Sequence, residues 1–386
     1  MAMDVIFFEG FDYSRIDDLD PHYWSTSGSL FFNGDTVNLS NRPYLSGLSA
    51  NTTLTLQNFT DPFINHNGFG LGVRFFSGSI ATPVSGISPF PSGENLISFY
   101  NSAGTELRID ILQTTPNGSG SMGFAVYENN SLLDIYDVGH YMGSPWYTYD
   151  NGNLVQLGSS NADSYVLLEI YIDSEQISMR LPVSSLDTAP LLNSASGLYT
   201  AISPLDNLSS IKFYGHHNAS IYDLKVRLDK LYLTASDSEA EALLGYNTRI
   251  VQLGFPDVVQ MDWKSNNYLN NNYIYSSGIN DVALWNISDT YEEGTVGGIR
   301  IRQTIRKSFP SNDADCTNVM TSGAGGPIIN IGDIYNINSI QYTSKSSFAF
   351  INPVTSSPWT IQELNDMQIG IAPSGTTSTT STTIAP

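Results

Sequence analysis

Glu169, Asp173 and Glu175 come closest in this sequence to a catalytic carboxylate pair. Glycoside hydrolysis needs two such acids about 5 to 9.5 Å apart across a sugar cleft. The three stand in SYVLLEIYIDSEQISMRLPV, which alternates as a hairpin, with Val166, Leu168, Ile170 and Ile172 on one face and Asp173 to Gln176 in the turn. At about 3.3 Å per strand residue, Glu169 and Asp173 fall roughly 13 Å apart. That is too far for the reaction, and Asp173 and Glu175 are ordinary turn acids. The five histidines, His22, His66, His140, His216 and His217, are scattered. Only the last two are neighbours, and adjacent strand residues point to opposite faces, so they make no ready ligand pair. Cys316 is the single cysteine, which leaves neither a thiolate zinc site nor an internal disulfide. No G-x-S-x-G stands between a strand and a helix. The acids Asp12, Asp17, Asp18 and Asp20 lack the D-x-D-x-D-G spacing of a calcium loop. No catalytic residue, metal ligand or cofactor is assigned, and no enzymatic activity is expected.

Binding is better served. Tyr141, Trp146, Tyr147 and Tyr149 cluster in GHYMGSPWYTYDNGN, read as a long loop, and a second long loop is GSIATPVSGISPFPSGEN. Exposed aromatics stack on sugar rings or anchor protein contacts, because they bury much area with few rotatable bonds. Covering a sheet edge is the other reading of the same four residues. The basic residues Arg249, Arg300, Arg302, Arg306 and Lys307 read as a solvated strand face.

The elements that must position these residues are strands. Up to residue 235 short apolar runs recur about every ten residues, separated by Gly, Asn or Pro: GSLFF, TLTLQNF, FGLGVRFF, NLISFYN, LRIDILQT, MGFAVYEN, SLLDIYDVG, YVLLEIYID, ISMRLPV, SIKFYG and IYDLKVRLDKLYL. This predicts two antiparallel sheets packed face to face. In the last run the apolar phase moves from Tyr222, Leu224, Val226 and Leu228 to Leu231 and Leu233. A slip of one residue turns the core face to solvent unless the strand bulges, so a bulge is expected near Asp229 and Lys230. The acidic 236–250 reads as a linker. A second strand set follows over 251–373: TRIVQLGF, NYIYSSG, DVALWNI, GGIRIRQTIRKS, INSIQYTS, SFAFINP and PWTIQELNDMQIGIA. The Thr/Ser-rich tail 374–386 lacks the apolar content to order itself, and a neighbouring subunit is expected to hold it.

With 37 acidic and 16 basic residues in 386 the net charge is −21, so the cationic footprint for nucleic acid or anionic membrane is missing. No window reaches the roughly 20 apolar residues of a membrane-spanning helix, and MAMDVIFFEGF has no basic n-region or long apolar h-region of an export signal.

Five stretches carry a family resemblance. IFFEGFDY with Trp24, YVLLEIYIDSEQISMRL and IYDLKVRLDKLYL resemble the concanavalin A-like, laminin-G-type jelly roll of tailed-bacteriophage structural proteins. The continuation LLGYNTRIVQLGFPD is similar to that family's L-G-D-x-R-V, with Tyr246 where Asp is usual, and in the closing strand Tyr222 stands where the family has the first of an Asp pair. The ending NPVTSSPWTIQELNDMQIGI resembles an N-P-x-T then W-T-x-x-x-L-N-x-x-Q-x-G signature: Asn352, Pro353, Trp359, Thr360, Leu364, Asn365, Gln368 and Gly370. The resemblance implies an all-β chain, a jelly-roll β-sandwich over 1–235 followed by a smaller β domain. It implies a non-enzymatic virion component of fibre, baseplate, collar or capsid-decoration type, assembled in the bacterial cytoplasm. Its partners would be other virion proteins, copies of itself and, in an adhesin role, a host surface glycan.

Overall fold

In the computed structural model the described residues are 3–11, 19–27, 31–33, 44–46, 53–76, 94–114, 120–141, 146–150, 153–158, 165–174, 176–180, 191–192, 207–214, 227–245, 248, 250, 253, 258–261, 264–266, 273–275, 281–290, 294–306, 314–323, 325–339 and 341–374. Tyr222, Tyr246, Glu175, Lys307, the tail beyond 374 and the loop 77–93 lie outside them. The chain is all-β and divides into two units: Met1–Ile16 with His22–Ile250, and Asp17–Pro21 with Val251–Pro386.

The first unit holds two antiparallel sheets. One is nine-stranded, in the order Asn153–Gly158, Trp146–Asp150, Ser131–Tyr141, Gly120–Glu128, Glu106–Thr114, Glu94–Asn101, Leu208–Tyr214, Thr53–Gln57, Trp24–Ser27. The other is eight-stranded: Leu191–Leu192, Ile177–Arg180, Tyr165–Asp173, Gly68–Phe76, Arg227–Ala235, Tyr44–Ser46, Phe31–Asn33, with Asp4–Glu9 also paired to Arg227–Ala235. The sheets meet through aromatic side chains. Phe69 of one lies 5.6 Å from Phe99 of the other, and Phe7 lies 5.7 Å from Trp24. The N-terminal EGF motif serves this seam: buried Glu9 accepts the Trp24 indole N–H at 3.2 Å and the Phe11 amide at 3.3 Å, and Phe11 turns to φ 51° to seal the core.

The bulge falls where the phase slip places it. Leu228 pairs with Phe75 and Lys230 with Arg74, so Asp229 is the extra residue, and Leu228, Leu231 and Leu233 all stay buried. The hairpin also forms, with Ile172 opposite Ile177 and the Gln176 amide donating to Asp173 Oδ1 at 2.8 Å. Its strand is buried on both faces, however: Leu167, Glu169 and Tyr171 are as sealed as Leu168, Ile170 and Ile172.

The reason is a cover that the linker reading missed. In Gly68–Phe76, Phe69, Leu71 and Val73 face the core while Gly68, Gly70 and Gly72 leave the opposite face bare. A Cβ on Gly68 would sit 2.6 Å from the Tyr171 hydroxyl, one on Gly70 2.5 Å from the Ala242 carbonyl oxygen, and one on Gly72 within the Tyr232 ring. Residues 236–245, including the short helix Glu239–Ala242, lie in this space, with Ala242 and Leu243 buried. The acids of this stretch are bonded to the first unit: Ser178 donates to Glu239 at 3.0 Å, Ser236 to Glu241 at 3.1 Å and the Asn67 amide to Asp237 at 2.7 Å. Thus 236–245 belongs to the first unit's packing and is not a free linker.

The second unit has a five-stranded sheet, Val258–Met261, Ala283–Asn286, Gln368–Ser374, Ala314–Thr321, Ile329–Ile337. Two-stranded ribbons pair Ile299–Ile305 with Thr343–Ala349 and Lys264–Asn266 with Tyr273–Tyr275. Ile287, Ile301, Met320, Ile331, Trp359, Leu364 and Ile369 build its core. Two strands here escape the apolar alternation. Cys316, Thr317, Asn318, Val319 and Met320 are buried in succession, polar ones included, and Gly332 to Ile334 bulge out between the pairs Asn318–Ile331 and Cys316–Tyr335. PWTIQELNDMQIGIA, expected as strand, splits into the helix Ile361–Asp366 and the strand from Gln368. The Thr360–Glu363 capping box is the overlooked signal.

Candidate functional site

The carboxylate singled out by sequence is a structural anchor. Buried Glu169 accepts Arg180 Nε at 2.5 Å, the Tyr232 hydroxyl, and the Gly245 amide at 2.7 Å. Arg180 donates on to the Leu243 carbonyl at 2.9 Å and the Leu244 amide donates to the Tyr232 oxygen at 3.0 Å, so one network ties the cover to the sheet. Burial, then the Glu169 charge, push the Tyr232 phenol well above its ordinary pKa, which keeps it a donor. His66 is likewise internal, with Nε2 3.1 Å from Asp4 Oδ2. Asp20 is buried, and Asp12, Asp17 and Asp18 lie outside the described residues.

The aromatic stretch is a strand hairpin instead of a long loop. Tyr141 ends Ser131–Tyr141 and pairs with Trp146, while Tyr147 and Tyr149 continue along Trp146–Asp150, the strand next to the sheet's outermost strand. The alternating pull of WYTYDNGNLVQLG toward strand was masked by its Gly and Asn and by the preceding Pro145.

The structure builds a different constellation on the outward face of the nine-stranded sheet. Along Leu208–Tyr214, Ile211 and Phe213 go to the core, which leaves Ser210, Lys212 and Tyr214 outward; Ile97 and Phe99 do the same for Ser98 and Tyr100, and Leu107 and Ile109 for Glu106, Arg108 and Asp110. Register aligns Ser25, Thr55, Lys212, Ser98, Arg108, Tyr127 and Leu132 in one rung across successive strands. Around it the polar atoms interlock. Glu106 Oε1 accepts Ser98 at 2.8 Å and the Tyr100 hydroxyl at 2.7 Å, and the Tyr100 and Tyr214 hydroxyls are 3.1 Å apart. Lys212 Nζ lies 5.4 Å over the Tyr100 ring and 5.7 Å over Tyr214. Arg108 pairs with Asp110 at 2.8 Å, stacks 4.6 Å over Tyr127 and donates to Asn130 at 2.6 Å. Asn129 and Asn130, both at positive φ, form the two-residue turn that presents that last contact. Burial, then the Tyr214 and Glu106 hydrogen bonds, push the Tyr100 phenol far above its usual pKa, so it donates to Glu106 and leaves Tyr214 to donate to it.

Here two cations, two carboxylates and three tyrosines form a fixed, part-exposed platform. Arg108 stands between the two carboxylates, 3.8 Å from a Glu106 oxygen and 2.8 Å from an Asp110 oxygen, so its guanidinium engages both. The signal was present in the polar phase of NLISFYN, ELRIDIL and SIKFY, which carries aromatic and charged residues where plain Ser or Thr would serve solubility.

In the second unit the signature residues are structural. Asn352 is buried and accepts the Val354 amide at 2.9 Å; buried Trp359 donates to the Ala349 carbonyl at 2.8 Å. Asn365 holds the Thr290 amide at 2.9 Å, Gln368 donates to Asn286 at 3.1 Å, Leu364 is core, and a Cβ on Gly370 would run into the Ala283 carbonyl. Of the basic group, Arg300 donates to Ser346 at 2.8 Å and lies over Phe348, and Arg306 over Tyr342.

No family model and no curated protein matches the chain. Among solved structures it is similar to the CBM2 module of the evolved Dit of Lactobacillus casei BL23 phage J-1, at 7% identity over 62% of this chain and 98% of that one, TM-score 0.36. Domain 4 of AbnA, a GH43 extracellular arabinanase from Geobacillus stearothermophilus, is similar at 9% identity over 61% of this chain and 94% of that one, TM-score 0.33. The binding domain of botulinum neurotoxin serotype G is similar at 12% identity over 96% of this chain and 92% of that one, TM-score 0.35.

Proposed function

We propose that the chain is a non-enzymatic structural component of a tailed-bacteriophage virion, a tail, collar or capsid-surface protein that packs against other virion proteins and copies of itself. One observation carries this reading. The most family-like stretch of the sequence, 352–370, spends its polar side chains on holding the second unit together, with Asn352, Trp359, Asn365 and Gln368 each bonded internally. These residues are committed to the unit's own packing and not to a ligand, which supports a structural role, and the sequence resemblance supplies the virion setting. Mass spectrometry and imaging of purified particles test it. The chain is expected at a fixed copy number, with lower incorporation when residues 375–386 are deleted; its absence from particles overturns the reading.

A further inference from the structure

We infer that the outward face of the nine-stranded sheet, centred on Tyr100, Lys212 and Tyr214 and extending to Arg108 and Tyr127, is a binding site for an extended neutral oligosaccharide. The inference does not rest on the virion reading, since it concerns only what this face recognises.

Three observations support it. The first is extent: the rung from Ser25 to Leu132 crosses seven strands, and at about 4.8 Å between neighbours this is roughly 29 Å, room for several sugar rings and far more than a single metabolite needs. The second is chemistry. Tyr100, Tyr214 and Tyr127 supply ring surface, while Lys212, which has no carboxylate partner among the described residues, retains its ammonium donors. Ring faces flanked by hydrogen-bonding groups suit a ligand with apolar C–H faces and a rim of hydroxyls. The third is charge. Lys212 and Arg108 are balanced by Glu106 and Asp110, with Arg108 already bonded to Asp110 at 2.8 and 3.4 Å. These four described charges cancel, and on a chain of net charge −21 they give a polyanion no excess of positive charge to bind. The interlocked hydroxyls and the paired Arg108 also hold the platform in one arrangement before any ligand arrives, which lowers the ordering cost of binding.

The experiment presents the full chain to an array of neutral hexose and pentose oligosaccharides beside uronate- and sialate-bearing ones, then measures Kd for the best neutral binder by calorimetry. Wild type should bind neutral members. Tyr214→Ala should weaken binding about tenfold through loss of the ring, and Lys212→Gln should weaken it severalfold, each with an unchanged melting temperature. Lys212→Gln keeps the test decisive if Tyr214→Ala does not fold. Failure to bind any neutral member, binding to acidic members alone, or wild-type affinity in the folded variants overturns the inference.

Discussion

The two outer faces of the first unit use the same three residue types to opposite ends. On the eight-stranded sheet Glu169, Tyr232 and Arg180 interlock beneath residues 236–245; on the nine-stranded sheet Glu106, Tyr100 and Arg108 interlock without such a cover among the described residues. Glu169 is fully buried, whereas the Glu106 side chain keeps 16% of its exposure. What separates an anchor from a platform is the glycine row 68, 70, 72, which lets a second layer of chain lie against one face. Carboxylate, phenol and guanidinium therefore name no function by themselves; dielectric and access decide it.

The sharpest way to break this comparison is to remove both carboxylates. Glu169→Ala strands Arg180, Tyr232 and the Gly245 amide, and should cost about 3–5 kcal/mol in chemical denaturation. Glu106→Ala should cost less, about 1–2 kcal/mol, since it strands the Ser98 and Tyr100 hydroxyls at a site that keeps some access to water. Equal losses would mean that burial does not distinguish the two faces. Next in size is the glycine row. Gly72→Ala drives a methyl into the Tyr232 ring and should cost about 1–3 kcal/mol, with faster proteolysis within 236–245 because the cover lifts; unchanged cleavage there would separate the glycines from the cover.

A smaller test extends the comparison to the second unit. Cys316 is buried and its thiol is pushed up to about 12, chiefly by burial and then by the Asp315 charge. A thiol-specific reagent at neutral pH should therefore leave the native chain unlabelled and react only on unfolding, and rapid native labelling would show that this core opens. The smallest effect belongs to a third, exposed carboxylate. Glu363 caps Ile361–Asp366, and its hydrogen bonds to Thr360, the backbone amide first, lower its pKa. A depressed folded value contributes stability that is present above the ordinary carboxylate pKa and lost as pH falls through the depressed one. Amide exchange of residues 361–366 should accelerate in that acidic window, and unchanged exchange there would show that the cap does not hold this helix.

Much of the first unit was legible from alternation alone, because in a sandwich every second side chain meets a core: ENLISFYN, ELRIDIL, LSSIKFY and the hairpin at 165–180 read directly. The Asp229 bulge was legible for the same reason, as a phase slip that only an extra residue can absorb. Alternation failed where both faces are buried. Tyr165–Asp173 and Ala314–Thr321 carry Glu169 and Asn318 inside, and nothing local marks a polar side chain whose partner is tens of residues away. The platform went unread for a related reason. Tyr141, Trp146, Tyr147 and Tyr149 drew attention by being close in sequence, whereas Tyr100, Arg108 and Lys212 come from three strands and meet only across the sheet.

The sequence by itself determined the all-β class, most strand phases and the bulge, since each depends on side chains within a few residues of one another. Only the tertiary structure decided which outer face would be closed. That choice rests on 236–245 finding Gly68, Gly70 and Gly72, a contact across more than a hundred and fifty residues whose energy comes from desolvation and long-range hydrogen bonds rather than from local propensity.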